Sequence, residues 1–204
     1  MKLQKTDLQT MSGWVGRLLR LDLSALDEIR SQPSATNAAV GVVLAASVLA
    51  GLGSWLWALF VEAPVPSGEV FIKSLLLGSI IQTMVWFLWV YVTYQVLVRA
   101  YGTRTDFAVL ARTMGFAFAP VALSLFIAID TLAVPFGIIS FATAVLLTNV
   151  AIQYASDAEA REATLANITG FAVFAIVMGV FANIAEVRTV GGLAPGIFFF
   201  SLDF

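Results

Sequence analysis

The feature that most constrains this chain is a missing charge: no residue from Ala38 to Val61 is charged. About 20 apolar residues carry a helix across bilayer hydrocarbon, so this run can span by itself. Four further apolar runs follow. Phe71 to Val98 is interrupted by Lys73 and Gln82, and Met114 to Ile129 contains Pro120, where a kink is expected. Phe136 to Tyr154 carries Asn149 and Gln153 toward its end, and Leu165 to Ala185 is closed by Glu186 and Arg188. Composition agrees: 60% of residues are hydrophobic and 12% charged, against roughly 45–50% and 25% in soluble domains. The polar surface that a soluble fold needs is missing.

The expected fold is therefore all-α, a polytopic transmembrane helical bundle with spans at 38–61, 71–98, 114–129, 136–154 and 165–185. Residues 1–36 form a polar or interfacial segment, 37–186 the five-helix domain and 187–204 a short aromatic tail. In the tail, Gly191, Gly192, Pro195 and Gly196 disfavour continuing the last helix, and Ile197 to Phe204 is too short to cross. The amino-terminal segment lacks the continuous apolar core and cleavage site of a signal peptide, so it is expected to be retained.

Within that segment Leu8, Met11, Trp14, Val15, Leu18 and Leu19 recur at helical spacing, flanked by Lys5, Arg17 and Arg20. This pattern reads as an amphipathic interfacial helix. Lipid contact and packing onto the protein's own surface fit it equally. A second short helix is expected from Ser24, with Asp27 as its capping-box partner, until Pro33 stops it.

Lys2, Lys5, Arg17, Arg20, Arg30, Arg99, Arg104, Arg112 and Arg161 fall on one side of the five spans, and only Lys73 and Arg188 on the other. Retained basic residues favour the cytoplasm, which predicts a cytoplasmic amino terminus and an opposite carboxyl terminus. The outer connections then hold Glu62, Glu69 and Asp130.

Neither cysteine nor histidine occurs. Disulfides, thiolate nucleophiles, Cys-ligated metals, the usual axial ligand of haem and the commonest general base are thereby excluded. No phosphate-cradling loop, serine elbow or pair of intramembrane carboxylates is present. The chain reads as a non-enzyme with no cofactor and no metal. A net charge of −2 without a long basic run also argues against nucleic acid.

Several stretches carry a resemblance. They are Leu18-Leu19-Arg20-Leu21-Asp22 with Glu28-Ile29, Pro33-Ser34-Ala35-Thr36 before the first span, and Gly102-Thr103-Arg104-Thr105-Asp106-Phe107 leading to Arg112-Thr113-Met114-Gly115-Phe116-Ala117 and Pro120. In this order the chain resembles the bacterial branch of the Yip family over nearly its whole length. The resemblance implies a five-span helical protein with a cytosolic amino terminus, related to eukaryotic proteins of vesicle trafficking and membrane shaping. It implies no chemistry.

Candidate site residues fall into two groups. Trp14, Arg17, Arg20, Arg99, Arg104 and Arg112 form a candidate interface for partners or lipid headgroups, each basic residue contributing about 1 kcal/mol near an anionic surface. Ordinary orientation charge is the competing reading. Gly115 and Ala119 form a small-xxx-small pair beside Pro120, and Gln82, Asn149 and Asn183 are intramembrane amides. Interhelical hydrogen bonding is the plainer role for these amides. The aromatics Trp86, Phe87, Trp89, Tyr91 and Tyr94 read as packing or an interfacial belt, with a pigment or quinone pocket as the sharper alternative.

The leading expectation is a Yip-like membrane scaffold or interaction protein, with membrane lipids, other membrane proteins or a second copy as partners. An accessory subunit of a larger complex is the first alternative. A small-solute transporter or channel, with a wet cavity at Gln82, Asn149 and Asn183, is the second.

Overall fold

The computed structural model describes residues 8–20, 22–60 and 67–185. Lys2, Lys5, Leu21, the turn from Glu62 to Pro66, the closing pair Glu186 and Arg188, and the tail 187–204 lie outside the described residues.

Two short helices form an amino-terminal arm: α1 (Leu8–Leu19) and α2 (Ser24–Ser31). Five long helices follow: α3 (Ala35–Phe60), α4 (Gly68–Ala100), α5 (Phe107–Ala128), α6 (Asp130–Ala155) and α7 (Ala160–Ala185). Each of the five is long and apolar enough to cross a membrane, so the protein is an integral membrane protein of the all-α class. In α5 the most apolar stretch is 78% buried within the protein, against 28–50% for the other four. It is the axis of the bundle.

The start of α5 differs from the sequence expectation of residue 114. Asp106 accepts backbone N–H bonds from Ala108 at 2.7 Å and Val109 at 3.3 Å, and this N-cap starts the helix at Phe107. Arg112, which precedes the expected span at 114–129, consequently lies in the second turn and is buried. At Phe118–Pro120, where a kink is expected, the α-helical geometry ends and a 3₁₀ stretch runs from Ala119 to Ala128. α6 begins at Asp130, not 136, and continues through Pro135, which removes one backbone donor in the second turn.

Small residues set the helix spacing. A Cβ on Gly51 would lie 2.6 Å from the Ser74 carbonyl oxygen, one on Gly115 would lie 2.8 Å from the Ala39 Cβ, and one on Gly170 would lie 2.8 Å from the Trp89 carbonyl oxygen. These are helix crossings that only glycine permits. α4 is not a uniform α-helix: it is π-helical over Phe71–Gly78 and Val96–Ala100. The first of these stretches faces Gly51 through Ser74 and Leu75.

The main core is aromatic. Trp89, fully buried, has Phe171, Phe174 and Phe118 at ring-centroid distances of 5.1, 5.5 and 6.3 Å, and Phe118 continues to Phe141 at 6.2 Å. These rings fill one another's space, so the position of Trp89 is a packed core. Phe87 and Tyr91 point outward instead.

Candidate functional site

The arm folds onto the bundle at the end where α3, α5 and α7 begin, here termed the arm end. Its polar joint is Arg17, whose guanidinium donates to Asp22 at 2.8 Å, to Glu28 at 2.7 Å and to the Ser24 hydroxyl at 2.8 Å. One planar fork thus ties α1 to the linker and to α2. Asp22 also accepts the Ser24 backbone N–H at 3.2 Å, while the N-cap of α2 is Leu23 and the expected Ser24–Asp27 box does not form.

Electrostatics at the joint follow from these bonds. Hydrogen bonds from Ser24 and then Arg17 hold the Asp22 carboxyl below its ordinary range. Arg17 and then Trp14 do the same for Glu28, and Asp22 and Glu28 raise the Arg17 guanidinium in turn. Arg17 therefore has two carboxylates of its own and little charge to offer an anionic headgroup.

Trp14 is 3% exposed. Its indole N–H donates to Glu28 and its ring meets Phe116 of α5 edge-on at 5.5 Å. Leu18, Leu26 and Ile29 are buried in the same cluster, together with Leu147 of α6. Of the two coverings open to the amphipathic stripe, Trp14 and Leu18 take the protein; Leu19 stays exposed.

The other candidate cations separate. Arg112 is 7% exposed, and its guanidinium donates to the Arg30 carbonyl at 3.2 Å and the Thr36 hydroxyl at 3.5 Å, leaving Nε without a partner. No carboxylate pairs with it among the described residues; it braces the joint between α2 and α3 from below. Arg20 and Arg99 are exposed. Arg104 is exposed too, but it lines a concave site with Arg30 and Ser31 of α2 and Ser156 and Asp157 after α6.

That site is held by backbone. Thr105 and Ser156 form an antiparallel bridge, the Thr105 hydroxyl donates to the Ala155 carbonyl at 3.0 Å, and Arg30 donates to the Tyr154 carbonyl at 2.7 Å. Arg30, Ser31 and Ser156 were invisible as a group in the sequence because nothing local links them. The Asp106 N-cap before Phe107 is the sequence signal that places Arg112 inside α5.

The amide residues do not converge. Counting 1.5 Å per residue from the arm end, Asn149 sits at about 9 Å depth, Gln82 at about 27 Å and Asn183 at about 35 Å. Gln82 is buried, Asn149 half-buried, and Asn183 is exposed and bonded to its own helix at the Gly179 carbonyl. The interhelical amide is Asn167, which accepts from the Trp89 indole at 3.2 Å and donates to the Val145 carbonyl at 2.9 Å. Gly115 lies against Ala39 of α3, and Ala119 and Pro120 are buried at the break in α5. Among the described residues no group of three or more acidic side chains is placed to hold a metal ion.

Compared with protein-family models, with curated proteins and with solved structures, the chain matches none.

Proposed function

We propose that this protein is a non-catalytic membrane scaffold, Yip-like in plan, that works by presenting a docked amino-terminal arm to other membrane proteins or to a second copy of itself. The observation that carries the reading is the arm itself, held by Trp14, Arg17 and Glu28 on the central span. Such a polar joint can be remade with a partner, whereas the interior is committed to helix packing at Gly51, Gly115, Gly170 and Asn167. The different depths of Gln82, Asn149 and Asn183 weigh against a shared solute cavity.

The membrane in this reading is a bacterial cytoplasmic membrane, with the arm in the cytoplasm. Arg17, Arg20, Arg30, Arg99, Arg104, Arg112 and Arg161 belong to the arm end, while Lys73 at the other end is engaged with Glu69 and the Ala185 carbonyl. Such an asymmetry favours retention of the arm end on the cytoplasmic side.

The test is purification in a mild detergent from the native membrane, with mass spectrometry of the intact assembly and its components. A stoichiometric partner or a second copy, lost on Glu28→Gln, is the expected result. A lone monomer before and after the substitution overturns the reading.

A further inference from the structure

The concave site at the arm end has a composition that ordinary orientation charge does not explain. Its volume is 270 Å³, just below the roughly 300–1,000 Å³ of drug-sized ligand pockets, which suits one small headgroup. Arg30 and Arg104 supply two guanidinium groups and Asp157 one carboxylate, while the Ser31 and Ser156 hydroxyls donate to the Asp27 and Ile152 carbonyls at 2.7 Å each. Arg104 and Asp157 share this small space, yet neither forms an ion pair among the described residues.

Arg30 is pre-positioned: one of its amino groups is spent on the Tyr154 carbonyl, and Arg112 holds its own carbonyl from below. Arg30 keeps its other donors, and Arg104, lining the same cavity, adds a second guanidinium that has no ion pair among the described residues. Guanidinium pairs of this kind match the oxygens of a phosphate ester. The carboxylate in the same cavity would repel a simple phosphate, but it suits a primary ammonium carried on that phosphate. Val109 and Ala155 give the cavity an apolar side where the spanning helices α5 and α6 meet it.

We propose that this cavity binds a phosphate ester bearing a primary ammonium, the chemistry of a phosphoethanolamine headgroup. Arg30 and Arg104 take the phosphate, and Asp157 takes the ammonium. The assignment requires only the membrane placement of the five helices and is independent of the scaffold reading.

The test uses the full chain in nanodiscs of equal phosphatidylethanolamine, phosphatidylcholine and phosphatidylglycerol, released into mild detergent for native mass spectrometry. One phosphatidylethanolamine is retained in preference to the other two. Arg104→Gln lowers that retention about tenfold, as expected for a lost charged hydrogen-bond partner. Asp157→Asn abolishes the preference over phosphatidylcholine, whose quaternary ammonium cannot donate a hydrogen bond. Neither residue makes a side-chain hydrogen bond or ion pair that folding would miss among the described residues. Displacement of the lipid by soluble glycerophosphoethanolamine identifies a free ester as sufficient; persistence of the lipid identifies the bilayer as the source. Equal retention of phosphatidylcholine, preference for phosphatidylglycerol, or unchanged retention in either variant overturns the assignment.

Discussion

The indole nitrogen of Trp14 lies 2.9 Å from a carboxylate oxygen of Glu28, and the other oxygen of that carboxylate takes the Arg17 guanidinium at 2.7 Å. Two residues of α1 thus converge on one acid of α2, and the ring that makes the first bond also packs on α5. Separating hydrogen bond from ring is straightforward. Trp14→Phe keeps most of the ring and should cost about 1 kcal/mol, while Trp14→Ala opens a cavity and should cost about 3–5 kcal/mol. Thermal unfolding in detergent, with protease sensitivity of α1 as a local readout, measures both.

The same joint predicts acid release of the arm. Asp22 and Glu28 have carboxyls lowered from their ordinary values, so their contribution is present above about pH 4 and is lost as pH falls through the lowered values. Arg17 is raised, and its contribution is complete below its ordinary value, so it stays charged throughout this window. Because the chain has no cysteine, Ser12→Cys on the exposed face of α1 offers a unique spin-label site. Label mobility should increase below pH 4 and much less so in a Glu28→Gln background, where the joint is already weakened. A pH-independent spectrum in the parent would count against it.

Glycine substitutions should split by sign. Gly51→Ala drives a Cβ into the Ser74 backbone and should destabilise by about 1–3 kcal/mol. Gly13→Ala meets nothing within 4 Å on the exposed face of α1 and should stabilise by about 0.5–1 kcal/mol. Paired unfolding midpoints, one lowered and one raised, are the measurement.

Asn167 links Trp89 of α4 to the Val145 carbonyl of α6 inside the core. Asn167→Ala strands the buried indole N–H and should cost about 1–3 kcal/mol. A double-mutant cycle with Trp89→Phe should return a coupling of roughly 0.6–1.7 kcal/mol, the range of hydrogen bonds between membrane helices. Zero coupling would show that the amide serves α6 alone.

The five spans were legible because a charge-free run such as Ala38 to Val61 has few other physical outcomes. Charge marks the helix start less well: Arg112 lies outside the expected span because an ionised side chain is costly in a membrane, but carbonyl and hydroxyl partners at Arg30 and Thr36 accommodate it inside α5. Periodicity showed that α1 has an apolar face at Trp14 and Leu18 without showing what covers it. The π-helical turns of α4 left no mark in local sequence. The cavity was least visible of all, since Arg30 of α2 and Arg104 and Asp157 of two separate connections meet only after the helices have packed.

A single residue, Ile129, separates the end of α5 at Ala128 from the start of α6 at Asp130. With no spare chain between them, the two helices form a hairpin whose second leg must follow directly behind the first. α5 therefore cannot slide along its axis without carrying the start of α6 with it. Arg112, buried against α2 and α3 near one end of α5, and Asp130, bonded to Trp57 just past the other, thus fix a single register between them.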